Sequence, residues 1–274
     1  MPEHTHISPG GKRYKRVAAH TTTPTGDTSP KIVVAQFKTF WKTLREWTDA
    51  DIDEYHRTVE QLARQIQTET YWDRKGTTRA NRFTCEDFAL RILVQFSALR
   101  GLPIKLTTGV RSYRNVEIYG ESEHHRYDST MYGYADMVSL TFGAPDIQRT
   151  GSNTSRLQTP ESILPGDMLV QANDRAGVGH HVQLVTHVSP SSISIMQGNS
   201  SGAIVRPLTT IMRIIGRNRA DPQNASYAGM RVEEGRYTLG KSGWDYRNDT
   251  TGAEARDFLR QFQLYRWNFA EFNR

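Results

Sequence analysis

Between positions 167 and 197 the chain contains DMLVQA, HVQLVTHV and SISIMQ, three stretches in which apolar and polar residues alternate. A period of two is a strand signature, because successive side chains point to opposite faces of a sheet. Only Ser189, Pro190 and Ser191 separate the last two stretches, so they are expected to pair as an antiparallel hairpin. A further run, AIVRPLTTIMRIIG at 203–216, reads as another strand.

Helical spacing dominates the residues before this segment. Phe37, Phe40, Trp41, Leu44 and Trp47 share one helical stripe, and Ile52, Tyr55, Val59, Leu62 and Ile66 share another. Thr48 and Asp51 have the spacing of a capping box at the start of the second helix. A third helix begins near Cys85 and stops at LRGLPIKL, where Gly101 and Pro103 end it and a strand starts at 104–108. Helices first and antiparallel strands after make the fold α+β. Residues 1–30, rich in Thr, Pro, Gly and His without periodicity, read as a flexible tail. Residues 110–160 are irregular, with a short helix expected around 134–142. Near the end, Phe258, Phe262, Tyr265 and Phe269 form an aromatic stripe at helical spacing, expected to pack on the body.

The formal net charge is +6, which favours anionic partners: nucleic acid, a membrane surface or a cell-wall polymer. No zinc-finger spacing, P-loop or RNA-binding signature accompanies the basic residues, so specific nucleic-acid recognition is not expected. No run approaches the ~18 apolar residues of a membrane span. The start, MPEHTHISPGGKRYKR, lacks the apolar core of a Sec signal. The expectation is synthesis in the cytoplasm and, if the chain acts outside, export by a dedicated machine.

Cys85 is the single cysteine among 274 residues, which rules out an intramolecular disulfide and any Cys-rich zinc module. It lies in RFTCEDFALR, with Thr84 as the expected N-cap and Asp87 three residues on. At the first position of a helix, unpaired N–H groups and the positive end of the macrodipole favour a thiolate. Glu86 and Asp87 oppose it. Cys85 also shares helical spacing with Phe88, Ala89, Ile92, Phe96 and Leu99, the pattern of a buried packing residue. Both readings, nucleophile and core thiol, are compatible with the helix alone.

A nucleophilic cysteine needs a base, normally His, and often a third group to orient the imidazole. Of nine histidines, His180 and His181 open the strand HVQLVTHV, and Gln197 and Asn199 stand at the far end of its hairpin partner. These ends meet side by side in an antiparallel pair. A simple hairpin pairing Val188 with Ile193 puts Asn199 opposite Val182, on the face shared with His180. One bulge instead sets Asn199 opposite His181. Adjacent strand residues point to opposite faces, which argues against His180 and His181 as a metal pair; no metal and no cofactor is expected. His4 and His6 lie in the tail, and His56 on an amphipathic helix.

Taken together, these stretches resemble the papain-like cysteine hydrolases, in particular the NlpC-type and CHAP cell-wall amidases and endopeptidases. The likeness covers roughly residues 80–200 and rests on TCEDFAL, ILPGDMLV (163–170) and GHHVQLVTHV with IMQGN. It implies a papain-like core whose catalytic Cys opens a helix packed on an antiparallel sheet. Cys85 would be the nucleophile, His181 the base and Asn199 the orienting amide, with Gln197 where some CHAP proteins carry an acid. It also implies peptide amide bonds, as in peptidoglycan, as substrate, an antibacterial effector or lytic role, and an immunity or inhibitor protein as partner. The catalytic domain would span 31–205, with an insertion near 110–160 and a C-terminal extension over 206–274 ending in a helix. The sequence departs from the pattern in lacking Trp or Tyr after Cys85, in its doubled His, and in the ninety-odd residues between Cys and His.

TCEDFALRILVQFSALRGLPIKL is also similar to the transglutaminase-like proteases, which would draw on His124 or His125 with Asp128, in a protease or a protein deamidase. The third expectation is a basic binding protein with Cys85 in its core.

Overall fold

The computed structural model describes residues 5–7, 13–15, 37–72, 77–172, 179–198 and 229–274. Within the segment expected as a flexible tail, β1 (Thr5–Ile7) pairs with β2 (Arg13–Lys15). The aromatic stripe at 37–47 is not a helix. Its first residues form β3 (Phe37–Thr39), and the rest runs irregularly to Thr48. The spacing survives because Phe40 and Trp47 are buried from different turns of an irregular segment, not from one helical face.

Helix α1 (Asp49–Thr68) starts where the capping box predicts. Asp51 Oδ2 accepts from the Thr48 backbone N–H at 3.0 Å and from the Thr48 hydroxyl at 2.6 Å. The hairpin β4 (Thr70–Trp72) and β5 (Thr78–Ala80) leads into α2 (Cys85–Arg100). From Asp87 to Ser97 every residue of α2 is buried, so this helix is the central column of the molecule. Gly101 ends it in the left-handed region, φ 63°, with its N–H on Ala98 O and the Leu102 N–H on Ser97 O at 2.8 Å. That is a Schellman closure. Burying side chains such as Phe88, Ile92 and Leu93 contributes about 1.5–3 kcal/mol each.

The 110–160 region is more ordered than its composition suggests. After β6 (Lys105–Thr107) come β7 (Ser112–Arg114), β8 (Val116–Ile118), α3 (Glu121–Arg126), α4 (Met131–Ser139) and α5 (Ala144–Ile147). β8 pairs with β3, and β6 with β7. The segment ends in β9 (Thr154–Leu157), an edge of the main sheet.

That sheet is eight-stranded and antiparallel. Beyond β9 it contains β10 (Met168–Ala172), β11 (Gly179–Ser189), β12 (Ser192–Gln197), β13 (Glu233–Gly240), β14 (Gly243–Asn248), β15 (Glu254–Ala255) and β16 (Phe262–Trp267). Their order is β15-β14-β13-β12-β11-β10-β16-β9. The three alternating stretches are thus adjacent strands, and the fold is α+β. The run at 203–216 lies outside the described residues.

The segment expected as a C-terminal extension supplies half of this sheet. Its aromatic stripe divides into a 3-10 turn at Phe258–Gln261, strand β16 inserted between β10 and β9, and only a four-residue helix, α6 (Phe269–Phe272). Spacings of three and four place residues on one helical face, but a turn followed by a strand buries the same positions from two sides.

Alternation assigns the two faces. Met168, Val170, Val182, Leu184 and Met196 pack with the helices, whereas Leu169, Val185, Ile193, Ile195 and Tyr237 build a second core. Tyr237 on β13 and Phe262 on β16 lie four strands apart, roughly 19 Å in a flat sheet. Their ring centroids are 6.2 Å apart. The sheet therefore coils upon itself, and its concave side is the second core.

The PGD turn before β10 has a physical account. Gly166 has φ 94°, and a Cβ there would collide with the Tyr55 ring and approach Val59 Cγ2 to 3.0 Å. Pro165 O faces His56 Nδ1 at 2.6 Å, and Asp167 holds Arg266 of β16 through two bonds of 2.8 and 2.7 Å. The turn locks α1, β10 and β16 together.

Candidate functional site

Residues 83–85 enter α2 through a gap between strand ends. Phe83 exchanges backbone hydrogen bonds with Met230, just before β13. From the other side Gly198, leaving β12, crosses the same residues so closely that a Cβ would strike Thr84 O and sit 2.6 Å from Phe83 O. Only glycine permits that approach. Cys85 then opens the helix, partly buried, with the Val182 backbone of β11 as a hydrogen-bond partner of its sulfur.

The N-cap residue is the expected one, Thr84. Thr84 has the extended backbone of an N-cap residue, but its side chain makes no cap bond. Its hydroxyl instead donates to Asp87 Oδ2 at 2.5 Å, and burial raises the Asp87 carboxyl well above its usual range. The thiol is not held as a thiolate either. Burial pushes it well above its ordinary value, and Glu86 adds to this by charge and by accepting the S–H at 2.8 Å from Oε2. The Val182 N–H acts in the opposite direction but is the smaller influence. Desolvation and an adjacent carboxylate outweigh the helix N-terminus.

The base candidate stands on the neighbouring residue of the same strand end. His181 is partly exposed and opposite Gln171 of β10. Its Nε2 lies 2.8 Å from Gln197 Oε1 on β12. A bulge between Val185 and His187 shifts the hairpin register, so the pairing runs from Val188↔Ile193 to Leu184↔Met196. One step further, Gln183 and Gln197 bond through their side chains at 2.9 Å. Alternation puts His181 and Gln183 toward the concave side and Val182 toward α2. The thiol thus meets β11 at the Val182 backbone, and the His181 side chain leaves the same strand end toward the other face.

His180 lies at a second irregularity, where Gln171↔His181 gives way to Ala172↔Gly179. Asn199 lies outside the described residues. His124 and His125 sit on α3, and Asp128 Oδ1 accepts from the Thr130 hydroxyl and the Gly133 N–H ahead of α4. That trio is helical capping structure, not a pair of strands.

A polar ladder stands behind His181. Gln183 accepts from the Tyr237 hydroxyl at 2.7 Å. Gln197 donates through Nε2 to Glu233 Oε2 at 3.1 Å and approaches the Tyr246 hydroxyl at 3.4 Å. Asn248 donates to the same Glu233 oxygen at 2.8 Å. Gln183, Gln197 and Asn248 are each buried, and each amide is used as donor and acceptor, the condition for burying such groups without penalty. The only sequence sign was a polar residue in the apolar run HVQLV.

Among the described residues, no group of three or more His, Cys, Asp or Glu is arranged to hold a metal ion, and no helix is long and apolar enough to cross a membrane. No protein-family model, curated protein or solved structure matches the chain.

Proposed function

We propose that the chain is a papain-like cysteine amidase or endopeptidase acting on peptide amide bonds, with peptidoglycan peptides as the substrate class. The observation that supports this is that Cys85, at the start of α2, bonds the Val182 backbone of β11, one residue from His181, whose Nε2 lies 2.8 Å from the buried Gln197 amide. Cys85 Sγ attacks the carbonyl carbon as its proton passes to His181. The first N–H groups of α2 stabilise the oxyanion. His181 then protonates the departing amine, and water hydrolyses the thioester. Because the thiol is held protonated against Glu86, proton transfer accompanies attack instead of preceding it. The net charge of +6 suits an anionic, peptide-bearing polymer. On this reading the chain reaches the cell wall by a dedicated export route and meets an inhibitor protein in the producing cell.

The competing reading is a binding protein with a core thiol, favoured by the Cys85–Glu86 bond. Iodoacetamide labelling across pH separates the two. The hydrolase reading expects wild type to label at pH 7 at least about tenfold faster than His181→Ala, and purified peptidoglycan to be cut by wild type but not by Cys85→Ala. Equal, slow labelling in both proteins sinks it. Release of ammonia from protein glutamines, with peptidoglycan untouched, would move the chain to the transglutaminase-like chemistry.

A further inference from the structure

We propose that Glu233 is a positioning residue that, through the Gln197 amide, fixes His181 in the tautomer carrying its proton on Nε2 and its basic lone pair on Nδ1. The inference rests on His181 being the base of the proposed hydrolase, but the hydrogen-bond logic stands on its own geometry.

That logic starts at a turn. The Thr250 and Thr251 backbone N–H groups donate to Asn248 Oδ1 at 3.0 and 2.9 Å. A backbone N–H only donates, so Asn248 presents its NH2 to the other side, where Glu233 Oε2 lies 2.8 Å away. An ionised carboxylate only accepts. Glu233 therefore turns the Gln197 NH2 toward itself, at 3.1 Å, and the Gln197 oxygen toward β11. That oxygen receives Gln183 Nε2 at 2.9 Å and His181 Nε2 at 2.8 Å. An amide oxygen cannot donate, so His181 Nε2 must carry the proton, leaving Nδ1 to accept one. Each orientation follows from a group whose role is chemically fixed, and the chain of constraint runs over β14, β13, β12 and β11. The carboxylate also favours the positive imidazolium once the proton is taken.

The test is the 15N spectrum of the imidazoles in the full chain, with His181 assigned by His181→Ala. In wild type the Nε2–H form should predominate above pH 7. Glu233→Gln is isosteric and lets the second amide present either end to Gln197. The Nε2–H share should then fall to about half, with hydrolysis about twofold lower, because only that tautomer keeps a basic lone pair on Nδ1. Asn248→Ser, which loosens Glu233 without removing it, should move the tautomer the same way by less and serves if Glu233→Gln fails to fold. Tyr246→Phe, which removes a hydroxyl that contacts Gln197 and Asn248 but leaves the Glu233 and Gln197 oxygens in place, should leave it unchanged. An Nδ1–H form in wild type, or an unaltered tautomer in Glu233→Gln and Asn248→Ser, overturns the proposal. If the tautomer shifts as expected but Cys85 labelling never depends on His181, the positioning role stands and the hydrolase reading falls.

Discussion

Cys85 and Glu86 are neighbours in sequence, and the energetics of the candidate nucleophile turn on that adjacency. A helix start offers N–H groups to a thiolate, yet here the S–H is donated to the Glu86 carboxylate at 2.8 Å. Ionising the thiol would remove that bond and place two negative charges side by side. Burial is the larger influence and Glu86 the second, so both raise the thiol. Glu86→Gln removes the charge while keeping the side chain's size and an acceptor oxygen. The expected outcome is a lower thiol pKa and alkylation about tenfold faster at pH 8, since one unit in pKa is a tenfold change in thiolate below the titration. The change should persist in the His181→Ala background, because it acts on the thiol directly. Unchanged alkylation in Glu86→Gln would mean burial alone holds the thiol protonated.

At the scale of elements, the site exists because two strand ends close on a helix start, and Gly198 sets how near they come. A methyl group there would overlap backbone oxygens of Phe83 and Thr84, which have no side-chain freedom to yield. Gly198→Ala is therefore expected to cost about 1–3 kcal/mol, the usual penalty of overpacking, read as a lower Tm. It should also cost most of the His181-dependent Cys85 labelling, since β12 must move away from α2; full retention of labelling would show that the contact does not set the site. The alternation of 167–197, the capping box at Thr48 and the Gly101 stop were legible because each is settled by residues within one element. The stripes at 37–47 and 258–269 misled for the opposite reason. Phe262 and Leu264 face the second core while Tyr265 and Trp267 face the first, a division that only a coiled sheet creates. Likewise the hairpin register turned on a bulge at Thr186, and Glu233 joined Gln197 across thirty-six positions with no local pattern to announce it.

For the whole molecule, the corner joining α1 to the sheet carries a pH dependence. His56 on α1 is buried, its Nδ1 donating to Pro165 O at 2.6 Å and its Nε2 without a hydrogen-bond partner among the described residues. Protonation would create an N–H with no acceptor in a site walled by Tyr55 and Phe269. Burial lowers its pKa; Pro165, Asp167 and Asp53 pull the other way, and Arg266 adds to the lowering. A group depressed in the fold binds fewer protons folded than unfolded between its folded value and the unfolded value of ~6.5. Its stability contribution is therefore complete above pH ~6.5 and is lost as pH falls through that window. Asp167 has the opposite sign: burial raises it against Arg266, so between ~3.9 and its folded value acidification favours the native state. The two must be separated by a variant that does not titrate. His56→Asn keeps a donor for Pro165 O and removes the ionisation, leaving Asp167 and Arg266 in place. The fall in Tm between pH 7 and pH 5 should be smaller in His56→Asn than in wild type. Each tenfold lowering of proton affinity on folding is worth about 1.4 kcal/mol, roughly 2–4 °C in chains of 150–250 residues. Parallel Tm curves would show that His56 takes up its proton as readily in the folded chain as in the unfolded one, and that the corner is insensitive to pH.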